Sequence, residues 1–448
     1  MRRRTKDQYT RQSEKIQELL GAVARKEGRA SGFVKRRSKM TAEVFAQTMI
    51  LGVLENPEAT LNDFVQISAR LGVAISEAGL HERIDGEAVE FLKRLLEIGL
   101  QRLGGQGSVP AKALEAFTRV DILDSTQFAV HPVVAEEFVG YNSPGTEAAL
   151  KIQLSTDYLS GELNAVEVGP GRVPDQACDL AVQKATAGSL QLFDAGYAVL
   201  EHLRRIGEKG AFFLTPFKAH AHIYLGAEDS APVDLGRSLE QQAADGGVVD
   251  RWVYVGRKER LPVRLVAYRL PQAQVDQRRR RARQNARKKG YCVRQEHLRL
   301  LAWNVLITNL PQDRFSPHAL RTLYRVRWQI ELFFKLSKSH FRLASVRRWR
   351  RERLLSQVYA RLIAIVLFQW LIVPWRFSPQ GELSPTKAYR IVRRQALAIV
   401  HALRAAGAGL HVILAEIRRD FMRYALKSPR NKSPSTFALV AQLDVQGA

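Results

Sequence analysis

Three short runs rich in apolar or β-branched residues, 119–124, 148–154 and 163–168, are separated by Gly, Pro, Asn and Ser. They are followed by a helical pattern over 174–187, an apolar run at 190–193, a helical pattern over about 198–209 and another apolar run at 211–214. This order of three strands, then helix, strand, helix and strand, constrains the fold more than any other feature of the chain. Helices lying between strands act as crossovers, so at least part of the sheet is parallel and the architecture is mixed α/β. Residues 217–289 break the rhythm, with candidate strands at 252–257 and 263–268 and then a dense basic segment, and so they form an insertion. An apolar strand or helix core resumes at 298–310. A helix that Ser316 and Pro317 can open runs from there through about 337.

Ahead of this core the first 110 residues carry apolar positions at helical spacing in 44–54, 61–71 and 88–100. Residues 61–71, Gly72-Val73 and 76–84 match both a helix-turn-helix and a plain helical hairpin, with Ser76 as cap of the second helix. Glycines at 104, 105 and 107 mark a linker. The longest apolar stretch, 362–373, is interrupted by Gln369 and stops at Pro374; it is shorter than the roughly 20 residues that cross a bilayer and reads as a core helix. The basic start, Met1-Arg2-Arg3-Arg4-Thr5, has no apolar segment behind it and is not read as a secretory signal.

Charge narrows the partner. Sixty-nine Lys and Arg against 44 Asp and Glu leave a formal +25 in 448 residues. Such an excess attracts polyanions through a field reaching about 8 Å at physiological salt, and nucleic acid is favoured over an anionic membrane. Eight of the positive charges lie within 278–289, namely Arg278, Arg279, Arg280, Arg281, Arg283, Arg287, Lys288 and Lys289, with no acid among them. Arg342, Arg347, Arg348, Arg350, Arg351 and Arg353, around Trp349, form a second basic group. Contacts of this kind are expected to be made to phosphates and so to be independent of base sequence. The two cysteines, Cys178 and Cys292, are too few for a disulfide framework or a four-cysteine zinc site, and a reducing cytosol is expected.

The helix opening near Pro317 holds Tyr324, Arg327, Glu331 and Lys338, at offsets of 0, 3, 7 and 14. On one continuous α-helix these fall within an arc of about 60°. A phenol, a guanidinium, a carboxylate and an ammonium on one face suit a phosphate substrate, although an exposed Arg327–Glu331 pair has the same pattern. This stretch resembles the Y-R-E-K signature of bacterial insertion-sequence DDE transposases of the insertion sequence four type. Leu123-Asp124-Ser125-Thr126 resembles the family's first catalytic segment, and Leu192-Phe193-Asp194-Ala195-Gly196-Tyr197 the second. Asp157 to Gly161 and Pro170 to Asp175 look like its linking segments.

The resemblance implies a ribonuclease-H-like catalytic domain with a β-rich insertion, flanked by helical N- and C-terminal regions. The expected division is 1–110 for a helical, DNA-binding N-terminal region; 111–216 for the first part of the catalytic domain; 217–294 for the β-rich basic insertion; 295–375 for the second part with the catalytic helix; and 376–448 for a helical basic C-terminal region. By the same resemblance Asp124, Asp194 and Glu331 are catalytic and bind two Mg²⁺ ions, with Mn²⁺ as a substitute. Oxygen ligands favour these hard cations over zinc. Tyr324, Arg327 and Lys338 would hold DNA phosphate, Trp303 would stack a flipped base, although a Trp beside an apolar run such as 301–306 reads equally as a core residue, and Arg278, Arg279, Arg280, Arg281, Arg347 and Arg348 would grip the duplex. The implied partners are element-end and target double-stranded DNA and a second copy of the chain in the synaptic complex, in the bacterial cytoplasm at the nucleoid, with no membrane. A DNA-binding regulator that no longer catalyses and a structure-specific nuclease are the alternatives.

Rivals for these roles are present. Asp121 lies three residues before Asp124, so on a strand the two point to opposite faces. Asp157, Asp175 and Asp179 are expected in turns or at helix ends, and His220-Ala221-His222 is the nearest approach to a histidine cluster.

Overall fold

The computed structural model describes residues 2–443, except 37, 102–108, 110–111, 142, 220, 244–246, 347–349, 379, 406–407 and 429–433; side chains are described from Tyr9 onward, apart from 112–113. The linker glycines, His220 and the pair Arg347 and Arg348 therefore lie outside the described residues. The strands are β1 (Val120–Ala129), β2 (Ala149–Asp157), β3 (Leu163–Pro170), β4 (Leu190–Phe193), β5 (Phe212–Pro216), β6 (Ile223–Tyr224), β7 (Val248–Val255), β8 (Leu261–Arg269) and β9 (Trp303–Thr308). The chain divides into two compact units. One gathers Met1–Val109, Ser125–Val173 and Gln329–Asn431; the other gathers Pro110–Asp124, Pro174–Trp328 and Lys432–Ala448.

In the first unit, β2 and β3 pair antiparallel, in the order β3-β2-β1 with the second half of β1. The helix Arg351–Ile372 is the centre of this unit: every residue from Leu354 to Ile372 is buried, and it packs on Ala42–Glu55 and Gly86–Gln101. A helix apolar on all sides has no solvent face to present, so it is surrounded by others. The segment Arg351–Trp375 is long and apolar enough to cross a membrane, yet 89% of its apolar window is buried inside the protein. The apolar run at 362–373 is thus the C-terminal half of a longer core helix. Close packing needs a missing side chain at one point: a Cβ on Gly52 would lie 2.6 Å from the Phe64 ring.

The helices Leu61–Arg70 and Glu77–Arg83 form the pair expected from the sequence, turning at Gly72 with φ +92°. Thr60 and Asp63 make a reciprocal capping box, and Ser76 Oγ accepts from the Gly79 amide. Thr60→Ala should lower the stability of this unit by about 1 kcal/mol, measured by urea unfolding, because one orphan amide loses its acceptor. The second helix shows solvent mainly Glu77, Ala78 and Glu82, while the Arg83 guanidinium lies over the Phe33 ring and donates to the Met40 carbonyl. Its exposed face is acidic, which does not favour phosphate contact.

In the second unit the strand order is β1-β4-β5-β9-β8-β7-β6, with β1, β4 and β5 parallel and the rest antiparallel. The helix Leu200–Glu208 makes the crossover from β4 to β5, burying Leu203 and Ile206. The order 3-2-1 in one unit and 1-4-5 in the other, with β2–β3 antiparallel and β1–β4–β5 parallel, is that of a ribonuclease-H-like fold. The insertion between β5 and β9 contributes β6, β7 and β8, a short helix Leu235–Gln242 and the long helix Gln272–Lys288. It is fixed by a fully buried Arg264, which forks onto both carboxylate oxygens of Asp250 at 2.7 and 2.8 Å and also donates to the Leu310 and Pro311 carbonyls.

Two helices differ from expectation. The pattern at 174–187 resolves into a 3₁₀ turn, Asp175–Ala177, and a single short helix, Leu180–Lys184, because Cys178 between them is extended. The helix expected over 317–337 is two helices, Pro317–Arg325 and Trp328–Ser339. At the break the amides of Val326 and Arg327 reach back only three residues, to Leu323 and Tyr324. The break falls between Tyr324 and Glu331, so Tyr324 lies on the first helix, Arg327 in the turn, and Glu331 and Lys338 on the second helix. The start is as expected: Ser316 caps the first helix and Pro317 occupies its first turn.

Candidate active site

The second unit's parallel strands place two carboxylates side by side. Val120, Ile122 and Leu123 on β1 and Leu190, Leu192 and Phe193 on β4 are buried, and Leu123 pairs in register with Phe193. Asp124 and Asp194 follow directly in the chain, one on each of the two neighbouring strands. Carboxyl ends of parallel strands are where open α/β sheets present their functional groups. Asp194 is exposed, and its carboxylate accepts from the Ala195 amide at 2.6 Å, capping a short turn. Asp124 is largely buried and forms an ion pair: Arg327 Nη1 donates to its Oδ2 at 2.9 Å.

Tyr324 completes this group. The Arg327 guanidinium carbon lies 5.7 Å from its ring centroid. Burial, reinforced by the Asp194 and Asp124 carboxylates and only partly offset by Arg327, pushes the phenol well above its ordinary value and keeps it protonated. The site therefore combines two carboxylates, a guanidinium and a neutral hydroxyl donor.

Glu331 and Lys338 lie on Trp328–Ser339, in the part of that helix that belongs to the first unit. Glu331 is half-buried in the first turn. Lys338 Nζ donates to the Gln127 carbonyl at 3.3 Å, and burial lowers its pKa. Among the described residues no three His, Cys, Asp or Glu side chains stand together as a ready metal cluster. The rival Asp121 is buried beneath the surface of the sheet, where it accepts from Arg119 at 2.7 Å and Gln191 at 2.8 Å, and so has a structural occupation. Asp157 accepts from the amides of Leu159 and Ser160 in a turn, and Asp179 accepts from Gln183. His222 is exposed.

The family model for the transposase DDE domain matches residues 115–367, more than half of the chain and the whole span that carries these residues. The chain belongs to the DDE transposase family. It is 27% identical over 432 residues to the transposase of insertion sequence element IS231B of Bacillus thuringiensis subsp. berliner, covering 91% of this chain and 90% of that one. With the IS231D transposase of B. thuringiensis subsp. finitimus the identity is 29%, covering 83% and 82%. A piggyBac transposase in a synaptic complex with hairpin DNA is a looser likeness, at 12% identity and a TM-score of 0.46 over 93% of this chain and 84% of that one. The fold assignment rests on the strand order. The protein is thus a DNA transposase of the bacterial insertion-sequence type, in a family whose chemistry uses divalent metal.

The aromatic and basic residues of this transposase differ in burial and in partners. Trp303, the first residue of β9, is 3% exposed, and its indole nitrogen is buried without a hydrogen-bond partner. Trp328, directly after Arg327, is 53% exposed. The basic cluster also divides. Arg279 Nε donates to the Leu298 carbonyl at 3.0 Å and Arg278 Nη1 to the Trp303 carbonyl at 3.2 Å, clipping the helix Gln272–Lys288 to the rest of the unit. Arg280, Arg281, Arg283, Arg287, Lys288 and Lys289 are exposed. In the second basic group Arg342 forks onto Glu58, Arg350 pairs with Glu352 and Arg351 with Glu137, so much of that charge is locally neutralised.

Proposed function

We propose that this transposase cuts at the ends of its element and joins them to target DNA with Asp124, Asp194 and Glu331 as the carboxylates that hold two Mg²⁺ ions, Mn²⁺ being able to substitute. The observation that carries this reading is that Asp124 and Asp194 each directly follow the last residue of the parallel β1–β4 register, in which Leu123 pairs with Phe193. Their donor set, carboxylate oxygen alone, suits hard divalent cations. Bound ions in such a site activate a water or 3′-hydroxyl nucleophile and stabilise the leaving oxygen during in-line displacement. Arg327 has the planar fork that holds a phosphate by two parallel bonds, and Tyr324, kept protonated by burial, donates to a non-bridging oxygen. Lys338 supplies a further cation for the backbone, and Trp328 and Trp303 are the aromatic faces for an unstacked base, Trp328 by exposure and Trp303 only if its surroundings open.

The duplex is gripped by the exposed cations of Gln272–Lys288, with Arg347 and Arg348 adding to the grip, and two copies of the chain bring two element ends together in the bacterial cytosol. The test is an assay on a duplex carrying the DNA that flanks the coding region, with a target plasmid present. Cleavage and joined products that appear with Mg²⁺ and vanish with a chelator support the reading; cleavage without joining points to a nuclease, and binding without either to a regulator.

The division of the basic helix gives a sharper prediction than charge alone. Replacing Arg280, Arg281, Arg283 and Arg287 with Gln should weaken binding to all duplexes alike and reduce the slope of log affinity against log salt by about 0.9 for each phosphate that is no longer neutralised. Replacing Arg278 and Arg279 should in addition loosen the helix, seen as faster amide exchange in Gln272–Lys288. Titrations at several salt concentrations check the first, and a loss confined to element-end DNA would show base reading instead.

A further inference from the structure

Asp124 and Asp194 occupy equivalent places on neighbouring strands but differ in what holds them. Asp194 is exposed and is held by one backbone amide, whereas Asp124 is closed by a guanidinium at 2.9 Å, with 15% of the Arg327 side chain and 19% of the Asp124 side chain exposed. So little exposure leaves the pair weakly screened by salt. A divalent cation and a guanidinium compete for the same carboxylate oxygen, and side by side they repel. A DNA phosphate, in turn, offers Arg327 an acceptor of the same geometry as the carboxylate. The residue is also placed to exchange partners: it lies in the turn between Pro317–Arg325 and Trp328–Ser339, where its amide is held by an i to i−3 bond and not by a continuous helical ladder.

We propose that Arg327 is a latch on the metal site: in the DNA-free protein it occupies Asp124, and on DNA binding it transfers to a backbone phosphate and frees the carboxylate for metal. This rests on Asp124 being a metal ligand, as assigned above. Because binding free energies are reciprocal, DNA tightens metal and metal tightens DNA by the same factor. The latch keeps the free transposase from assembling a charged site that would nick DNA it has not positioned.

The experiment measures Mn²⁺ binding by the electron-spin signal of the free ion, in the full chain, with and without a duplex that ends at the element terminus and has no bond left to cut. Wild type, Arg327→Gln, Arg327→Lys and Asp124→Asn are compared at a temperature below the melting transition of each. Arg327→Gln is expected to bind Mn²⁺ about fivefold or more tightly than wild type without DNA, with Arg327→Lys between them, and the tightening produced by duplex in wild type is expected to be largely absent in Arg327→Gln. Equal affinity of Arg327→Gln and wild type without DNA overturns the latch. So does a tighter Arg327→Gln that still responds to duplex as wild type does, since that would reflect only the removal of a positive charge. Unchanged Mn²⁺ binding in Asp124→Asn would instead remove Asp124 from the ligands and overturn the assignment beneath it.

Discussion

Asp124→Asn, Asp194→Asn and Glu331→Gln should each reduce strand cleavage and strand transfer by at least about a thousandfold, roughly 4 kcal/mol of transition-state stabilisation, while leaving DNA binding within a fewfold of wild type. The side chains keep their shape and lose the negative charge that a divalent cation needs. Folding should tolerate the changes unequally. Asp194 is exposed and only caps a short turn, so its variant should melt with wild type, whereas Asp124→Asn leaves Arg327 without its ion pair and should melt slightly earlier. Single-turnover cleavage beside thermal unfolding separates the two effects. Near wild-type cleavage in any one variant would show that residue to be misassigned. Asp121 is a poor replacement for Asp124, because it is already engaged by Arg119 and Gln191 in the interior.

Trp303→Ala should be the most destabilising single change at the residues considered for DNA contact, costing about 3–5 kcal/mol. The indole is 3% exposed at the start of β9, in a strand paired on one side with β8 and on the other with β5. Removing it opens a cavity beneath the point where Arg278 ties the basic helix to the Trp303 carbonyl. Nicking, second-strand cleavage and joining should then fall together, with a clear drop in melting temperature. Trp328→Ala is the contrasting variant: its 53% exposure leaves little packing to lose, so it should melt with wild type and affect only a step that needs an extruded base. If Trp303→Ala melts normally and loses only that step, the indole leaves its core position during the reaction.

Much of this fold is legible because β4 and the first half of β1 are short apolar runs, buried throughout and closed by an aspartate. The strand 190–193 is legible to the residue, since an apolar run bounded by Ser189 and Asp194 has few alternatives. The pairing of the helices Leu61–Arg70 and Glu77–Arg83 follows from one glycine and one serine cap. The break at Val326 and Arg327 is not legible. Val326, Ile330 and Phe334 continue the apolar spacing without interruption and are all buried, so the periodicity gives no sign that the hydrogen bonds tighten there. Nor does composition reveal that Arg278 and Arg279 bind carbonyls while Arg280 and Arg281 face solvent, because that difference is decided by tertiary neighbours at Leu298 and Trp303. The pairing of Arg327 with Asp124 is of the same kind: two residues far apart in the chain, each with a plausible separate partner, meet only in the folded unit.

The most direct test of the catalytic assignment is a strand-transfer measurement with the purified chain, a precleaved duplex ending in the DNA that flanks the coding region, and a supercoiled target plasmid. Mg²⁺ or Mn²⁺ should produce plasmid molecules covalently joined to the duplex 3′ end, and both a chelator and Asp194→Asn should abolish them. Joined product that persists with the chelator, or that Asp194→Asn makes at the wild-type rate, would contradict the account.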